Sequence, residues 1–168
     1  MLKEYQIKLA AFNDGKKVIN LLKRSAQWMK DNSINQWQYL LSGGDDEEIL
    51  NAIKGNETYI VLNDQDIIAT FTLSPDQSEW DRHIFGPEAN LDSLYMHRLA
   101  VSPDIIGKGL GKEILDWIFE NVKTDKKFLR LDCVAGNHKL NQFYQHNGFE
   151  YIGETDEHSK YQKELNHE

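Results

Sequence analysis

Cysteine is almost missing from this sequence of 168 residues, with Cys133 the single instance. One cysteine excludes an intramolecular disulfide and any all-cysteine zinc site. No run approaches the roughly 18 apolar residues of a membrane span. The N-terminal MLKEYQIKLAAFNDGKK is mixed in polarity and lacks a signal-type apolar segment. Positive charge is in deficit, with 19 Lys plus Arg against 27 Asp plus Glu and a formal charge of −8. An acidic surface repels phosphate backbones, so no nucleic-acid partner is expected, and the balance leans toward a cationic one. No internal repeat, low-complexity segment or linker interrupts the chain. These absences describe a soluble, cytoplasmic protein with no membrane partner.

Apolar residues are plentiful at 40%, and four Trp, seven Tyr and seven Phe contribute to them. That suffices for one sizeable core, so residues 1–168 are expected to form a single domain. Alternation predicts a strand at 5–9. Asn13 or Asp14 then precedes a helix with Val18, Leu21, Leu22, Ala26 and Met29 on one side. Residues 32–44 read as a loop or broken helix, and 45–54 as a short helix with a solvated acidic start. Strands at 57–62 and 67–73 flank a polar hairpin turn. Residues 74–90, which hold Trp80 and His83, read as a surface loop. A long strand at 91–101 stops at Ser102-Pro103, and a helix with Leu110, Ile114, Leu115, Ile118, Phe119 and Val122 follows a glycine loop. A strand at 128–134 and a helix at 137–146 come next, with Gly148 as a left-handed stop. Strands at 149–154 and 160–165 complete an α/β pattern.

The segment V-S-P-D-I-I-G-K-G-L-G-K leaves a strand and opens a helix. Unpaired N–H groups at a helix start suit a phosphate, and glycine lets a bulky anion approach closely. Lys108 and Lys112 add positive charge. Such glycines can also simply make a tight turn. A P-loop is excluded, because Glu113 stands where Ser or Thr is required after Lys112. A dinucleotide fold is excluded by the late position of the loop.

Three blocks widen the pattern: L-A-V-S-P-D-I-I-G-K-G-L-G-K-E-I-L, L-R-L-D-C-V-A-G-N and F-Y-Q-H-N-G-F-E-Y-I-G-E. In order and spacing they resemble the GCN5-related N-acetyltransferases (GNAT) over residues 94–154. The resemblance implies an acyl-CoA N-acyltransferase fold of mixed α/β class. Its central sheet is mostly antiparallel with one splayed parallel pair, and helices cover both faces. It also implies acetyl-CoA as co-substrate, no metal, and a small-molecule or peptide amine as acceptor. A homodimer is common in that family.

By the same resemblance, backbone groups at Leu99, Ala100 and Val101 meet the pantetheine. The loop Ile106, Gly107, Lys108, Gly109, Leu110, Gly111 and Lys112 meets the pyrophosphate. The family usually has Arg or Gln where Ile106 stands, but Ile supplies the same backbone N–H. Asn137 matches an Asn that bonds cofactor or loop, and a helix N-cap is its rival role. Tyr144 matches the family's Tyr near the cofactor sulfur, as general acid and cofactor contact, with a core aromatic as the alternative.

Tyr95 and His97 share one strand face, at positions where arylalkylamine N-acetyltransferases carry two His and histone-type enzymes a Glu at the first. His97 is the candidate base, or else a packed wall residue. Trp37, Trp80 and Tyr95 are candidate acceptor walls, and the two Trp can equally be core plugs. Asp132 reads as structural, and Cys133 as non-catalytic. An acetyltransferase is the favoured reading. The alternatives are a catalytically weak acyl-CoA-binding or regulatory module and a plain interaction domain.

Overall fold

The strands follow the alternation of the sequence. In β5 (Phe128–Val134), Leu129, Leu131 and Cys133 are buried, while the residues between them are half-exposed. The computed structural model describes residues 5–34, 37–87 and 92–165; positions 88–91, including the expected first residue of the long strand, lie outside these. Its strands are β1 (Gln6–Leu9), β2 (Thr58–Asn63), β3 (Asp66–Ser74), β4 (Ser93–Val101), β5, β6 (Glu150–Thr155) and β7 (His158–Glu164). They form one seven-stranded sheet in the order β1-β2-β3-β4-β5-β7-β6. The β1–β2, β2–β3, β5–β7 and β6–β7 pairs are antiparallel, and β4–β5 is parallel. This is the expected mixed α/β sheet, and it includes the expected parallel pair.

Contacts divide the chain into two compact units, 1–73 with 98–114, and 74–97 with 115–168. In the first, α1 (Gly15–Asp31) buries Val18, Leu21, Leu22, Ser25 and Ala26 at helical spacing. Val18, Leu22 and Ala26 join Ile49 and Ile53 of α2 (Asp46–Lys54) and Ile60, Leu62 and Ala100 in one apolar cluster. Asp14 takes the N-cap position of α1, but its carboxylate accepts the Ala11 N–H at 2.8 Å rather than capping the helix. The β2–β3 hairpin turns where expected, with Asn63 opposite Asp66 and Asp64 at φ +56°. Between α1 and α2, residues Gln38–Ser42 make a 3-10 turn, as a broken helix would.

The acidic start of α2 is not merely solvated. Arg98 donates to Asp45 Oδ2 at 2.9 Å and to Glu48 Oε2 at 3.3 Å, and Lys23 pairs with Asp46 at 3.5 Å. The sequence alone suggests a solvated start because the partner lies far along the chain. Arg98 itself sits at φ +53° inside β4, a left-handed kink that costs on the order of 1–3 kcal/mol unless neighbours hold it. The ion pairs with α2 supply that hold.

In the second unit, β4 and β5 pair only from Ser93/Phe128 to Tyr95/Arg130. Beyond Arg130, β5 continues against β7 as far as Val134/His158. The expected surface loop at 74–90 instead contains α3 (Glu79–Phe85). Ser78 Oγ accepts the Asp81 N–H at 3.1 Å, and the Ser78 N–H returns to Asp81 Oδ2 at 3.1 Å. This capping box starts the helix. Its signal, Ser78-Glu79-Trp80-Asp81, stood in the sequence. The helix buries only Asp81 and Ile84, so apolar periodicity could not reveal it. α4 (Leu110–Asn121) and α5 (His138–His146) form as expected, and Gly148 follows α5 at φ +86°.

The hold on the kink predicts measurable coupling. A double-mutant cycle on Arg98→Ala and Asp45→Ala, followed by urea unfolding, should give an interaction energy of about 1–3 kcal/mol. Strict additivity would mean that α2 does not hold the kink.

Candidate active site

The glycine loop belongs to the first unit. Gly107 and Gly109 stand at φ +86° and +83°, and a Cβ built on either would meet no atom within 4 Å. Glycine is therefore required there by backbone conformation and not by crowding. Ile106 through Gly109 are exposed, and the Glu113 N–H reaches back to the Gly109 carbonyl at 3.2 Å. The N–H groups that open an α-helix find no carbonyl within it, and in α4 these begin at Leu110 and Gly111. An exposed glycine backbone that leads into a 12-residue helix suits a pyrophosphate. Upstream, Ala100 is buried, Leu99 and Val101 are half-buried, and the Val101 carbonyl accepts the Ser25 hydroxyl at 3.4 Å. Trp37, at φ +63°, packs partly buried against the apolar cluster of this unit, which is its core-plug alternative.

The titratable residues gather in the second unit. His97 Nε2 lies 3.1 Å from Asp81 Oδ2. Asp81 is fully buried, and its Oδ1 has no partner. Sequence reasoning missed Asp81, because the helix that carries it was taken for a loop. Tyr95 is 1% exposed under α3: its ring meets Phe85 edge-on at 5.4 Å, and its hydroxyl accepts from Gln77 at 3.1 Å. Burial pushes that hydroxyl up to about 12. A side chain so covered presents almost no wall to an acceptor.

Trp80 is 39% exposed. Its indole N–H donates to Asp132 Oδ2 at 3.1 Å, and its ring meets that of His158 edge-on at 4.8 Å. His158 Nδ1 sits 3.0 Å from the same Asp132 oxygen without a straight hydrogen bond. Asp132 nonetheless holds the His158 imidazolium, raising it above the ordinary 6.5, with smaller help from Asp156 and Glu157. His83 pairs with Asp156 at 3.1 Å. Despite this gathering, no group among the described residues is arranged to hold a metal ion.

On the other face of β5, Tyr144 is buried among Phe143, Phe149 and Tyr161 at ring distances of 5.3, 5.6 and 5.9 Å. Burial, reinforced by Cys133 and Asp132, pushes its hydroxyl well above tyrosine's usual range. Asn137 caps α5 by accepting the Leu140 N–H at 3.2 Å, which is its rival role. Burial pushes the Cys133 thiol up to about 12, so it is no thiolate nucleophile at neutral pH.

Comparison with known proteins decides the family. The acetyltransferase (GNAT) domain matches residues 54–151. The uncharacterized N-acetyltransferase YesJ of Bacillus subtilis (strain 168) is 37% identical over 145 residues, which is 86% of this chain and 81% of that protein. The chain belongs to the GNAT acetyltransferase family.

This GNAT chain is also 26% identical over 152 residues to the S-(2-succino)cysteine N-acetyltransferase of the same organism, covering 89% of this chain and 86% of that one. Its fold matches a GNAT acetyltransferase structure from Listeria monocytogenes 4b F2365 with a TM-score of 0.82 and 28% identity, over 96% of this chain and 95% of that one. It also matches the PaiA N-acetyltransferase of Thermoplasma acidophilum, solved with coenzyme A, with a TM-score of 0.74, 19% identity and coverage of 95% and 98%. GNAT members are acyltransferases, and so is this protein. No helix among the described residues is long and apolar enough to cross a membrane.

The Asp132–His158 pair makes stability depend on pH in a defined direction. His158 is raised in the folded state, so its contribution is full below about 6.5 and fades as pH rises through the folded value. The stability advantage of wild type over Asp132→Asn should therefore be larger at about pH 5.5 than at about pH 8.5. Urea midpoints at the two pH values check it, and an advantage that grows with pH contradicts it.

Proposed function

We propose that this protein is an N-acetyltransferase that moves an acetyl group from acetyl-CoA to a primary amine by direct attack in a ternary complex. The observation that carries the reading is the exposed glycine loop, with two left-handed glycines and open space around them, at the start of α4. Acetyl-CoA, when bound, supplies an activated thioester. Backbone N–H groups from Ile106 to Lys112 cradle the pyrophosphate, and Lys108 adds a screened charge. Backbone groups of Leu99, Ala100 and Val101 bond the pantetheine as an added strand would. Asn137 bonds cofactor or loop with what its capping role leaves over.

His97 takes the proton of the acceptor's ammonium and frees the lone pair that attacks. Tyr144 directs its hydroxyl hydrogen at the departing sulfur. Trp80, held by Asp132, offers an indole against which an amine's stem or charge can rest. The acceptor is a small-molecule or peptide amine, and the enzyme works in the cytoplasm. The relative named for S-(2-succino)cysteine supports including amino-acid amines among the acceptors to try.

Calorimetry with CoA tests the loop. Gly109→Val, folded by circular dichroism, should lose measurable CoA binding, and undiminished affinity would remove the assignment. Thiol release from acetyl-CoA then tests the chemistry. The panel is spermidine, free amino acids, S-(2-succino)cysteine, kanamycin and a peptide N-terminus. Tyr144→Phe and His97→Ala should each lower turnover by about 10²- to 10⁴-fold, with CoA affinity changing much less. CoA binding without thiol release from any amine would instead mark a binding module.

A further inference from the structure

Asp81 has no exposure, yet it is a carboxylate on the first turn of a seven-residue helix. A buried charge is tolerated only when it is paired or hydrogen-bonded. Both of its contacts fall on Oδ2: the Ser78 N–H at 3.1 Å and His97 Nε2 at 3.1 Å. Oδ1 has none. A cap alone would need only the Ser78 contact. The second contact reaches across to β4 and to the residue proposed as base. An ionised carboxylate only accepts hydrogen bonds, so a bare Nε2 would set two lone pairs against each other at 3.1 Å. The hydrogen therefore sits on Nε2, and Nδ1 carries the lone pair. No other hydrogen bond engages His97 among the described residues, and its side chain is 20% exposed.

Resting on the reading of His97 as base, we propose that Asp81 is the positioning residue of the proton transfer, holding His97 with its hydrogen on Nε2 and its basic Nδ1 toward the amine. The balance is simple. An N–H bond of the acceptor's ammonium breaks, its electron pair stays on nitrogen for the attack, and the proton bonds Nδ1. The imidazolium so formed meets the buried carboxylate as its counter-charge. Other titratable groups near it are Tyr95, whose hydroxyl is bonded to Gln77, and the Asp132–His158 and His83–Asp156 pairs. Arg130 is placed over the Phe85 ring. None of these makes a hydrogen bond or ion pair with His97 among the described residues, so Asp81 is the partner that orients the ring.

Nitrogen-15 NMR of the full chain, with His97 assigned through His97→Gln, reads the proposal without substrate. In wild type the neutral ring should show hydrogen on Nε2 and a bare Nδ1, and hydrogen on Nδ1 overturns the proposal. Asp81→Asn keeps the shape and an oxygen for both contacts but removes the charge. Turnover with acetyl-CoA and the most active panel amine should then fall, though less than on removing His97 itself, while CoA affinity is kept. Asp81→Leu removes the acceptor altogether and should let hydrogen populate Nδ1 as well as Nε2. Ser78→Ala loosens the cap and keeps the carboxylate, so it should lower stability and leave the tautomer and turnover in place. A ring that keeps only the Nε2 hydrogen in Asp81→Leu, or a tautomer that shifts equally in Ser78→Ala, overturns the positioning role whatever His97 does. A tautomer that shifts in Asp81→Leu while turnover stays at the wild-type value overturns His97 as the base, and with it any part for Asp81 in the reaction.

Discussion

A carboxylate cannot be buried bare, and Asp81 is buried completely. Meeting that requirement organises the second unit. One oxygen gathers the Ser78 N–H and the His97 ring, which joins a helix start to β4. With α3 fixed at this point, Phe85 falls on Tyr95 at 5.4 Å and the Trp80 N–H reaches Asp132 at 3.1 Å. Asp132 in turn draws in His158 at 3.0 Å. A chain of polar contacts thus runs from β4 through α3 to β5 and β7 on one face. The opposite face of β5 is left to the aromatic packing of α5.

The first unit answers a different demand. On the proposed reading its loop presents backbone N–H groups to an anion, which calls for conformations that side chains resist. Gly107 and Gly109 take those conformations freely. Arg98 takes one at a cost and has its side chain tied to Asp45 and Glu48. In the chain this residue follows His97 directly, and its charge pairs tie it to the start of α2 within the first unit.

Much of this was legible in the sequence, and the misses share one cause. Periodic elements were readable: α1, α4 and β5 follow their apolar spacing, and the three GNAT blocks carried family and fold. What failed was whatever depends on partners distant in the chain. α3 has one buried apolar residue, Ile84, so no stripe announced it. Its capping box was a true local signal that went unused. From that single omission came two others, since Asp81 was not seen as a partner of His97 and Tyr95 was set on an open wall. Strand alternation tells which face a side chain takes, but not whether a helix will lie over it. The acidic run was likewise read as solvated, because nothing local pairs Asp45 with a residue 53 positions on.

On the proposed reading, the two halves of the proton chemistry are served by unlike means, and burial explains why. Tyr144 lies in an aromatic pocket that pushes its hydroxyl far above the ordinary range. A thiol ordinarily titrates near 8.5. Full proton transfer from such a phenol to a thiolate is therefore uphill, and Tyr144 serves best as a fixed hydrogen-bond donor that relieves charge on sulfur without surrendering its proton. The base half allows no such economy. A proton must leave the ammonium before nitrogen can attack, and it needs an acceptor that changes charge readily near neutral pH. Imidazole does this, and a buried carboxylate at 3.1 Å meets the positive charge it gains. Apolar burial suits the group that must keep its proton, and a charged partner suits the group that must gain one.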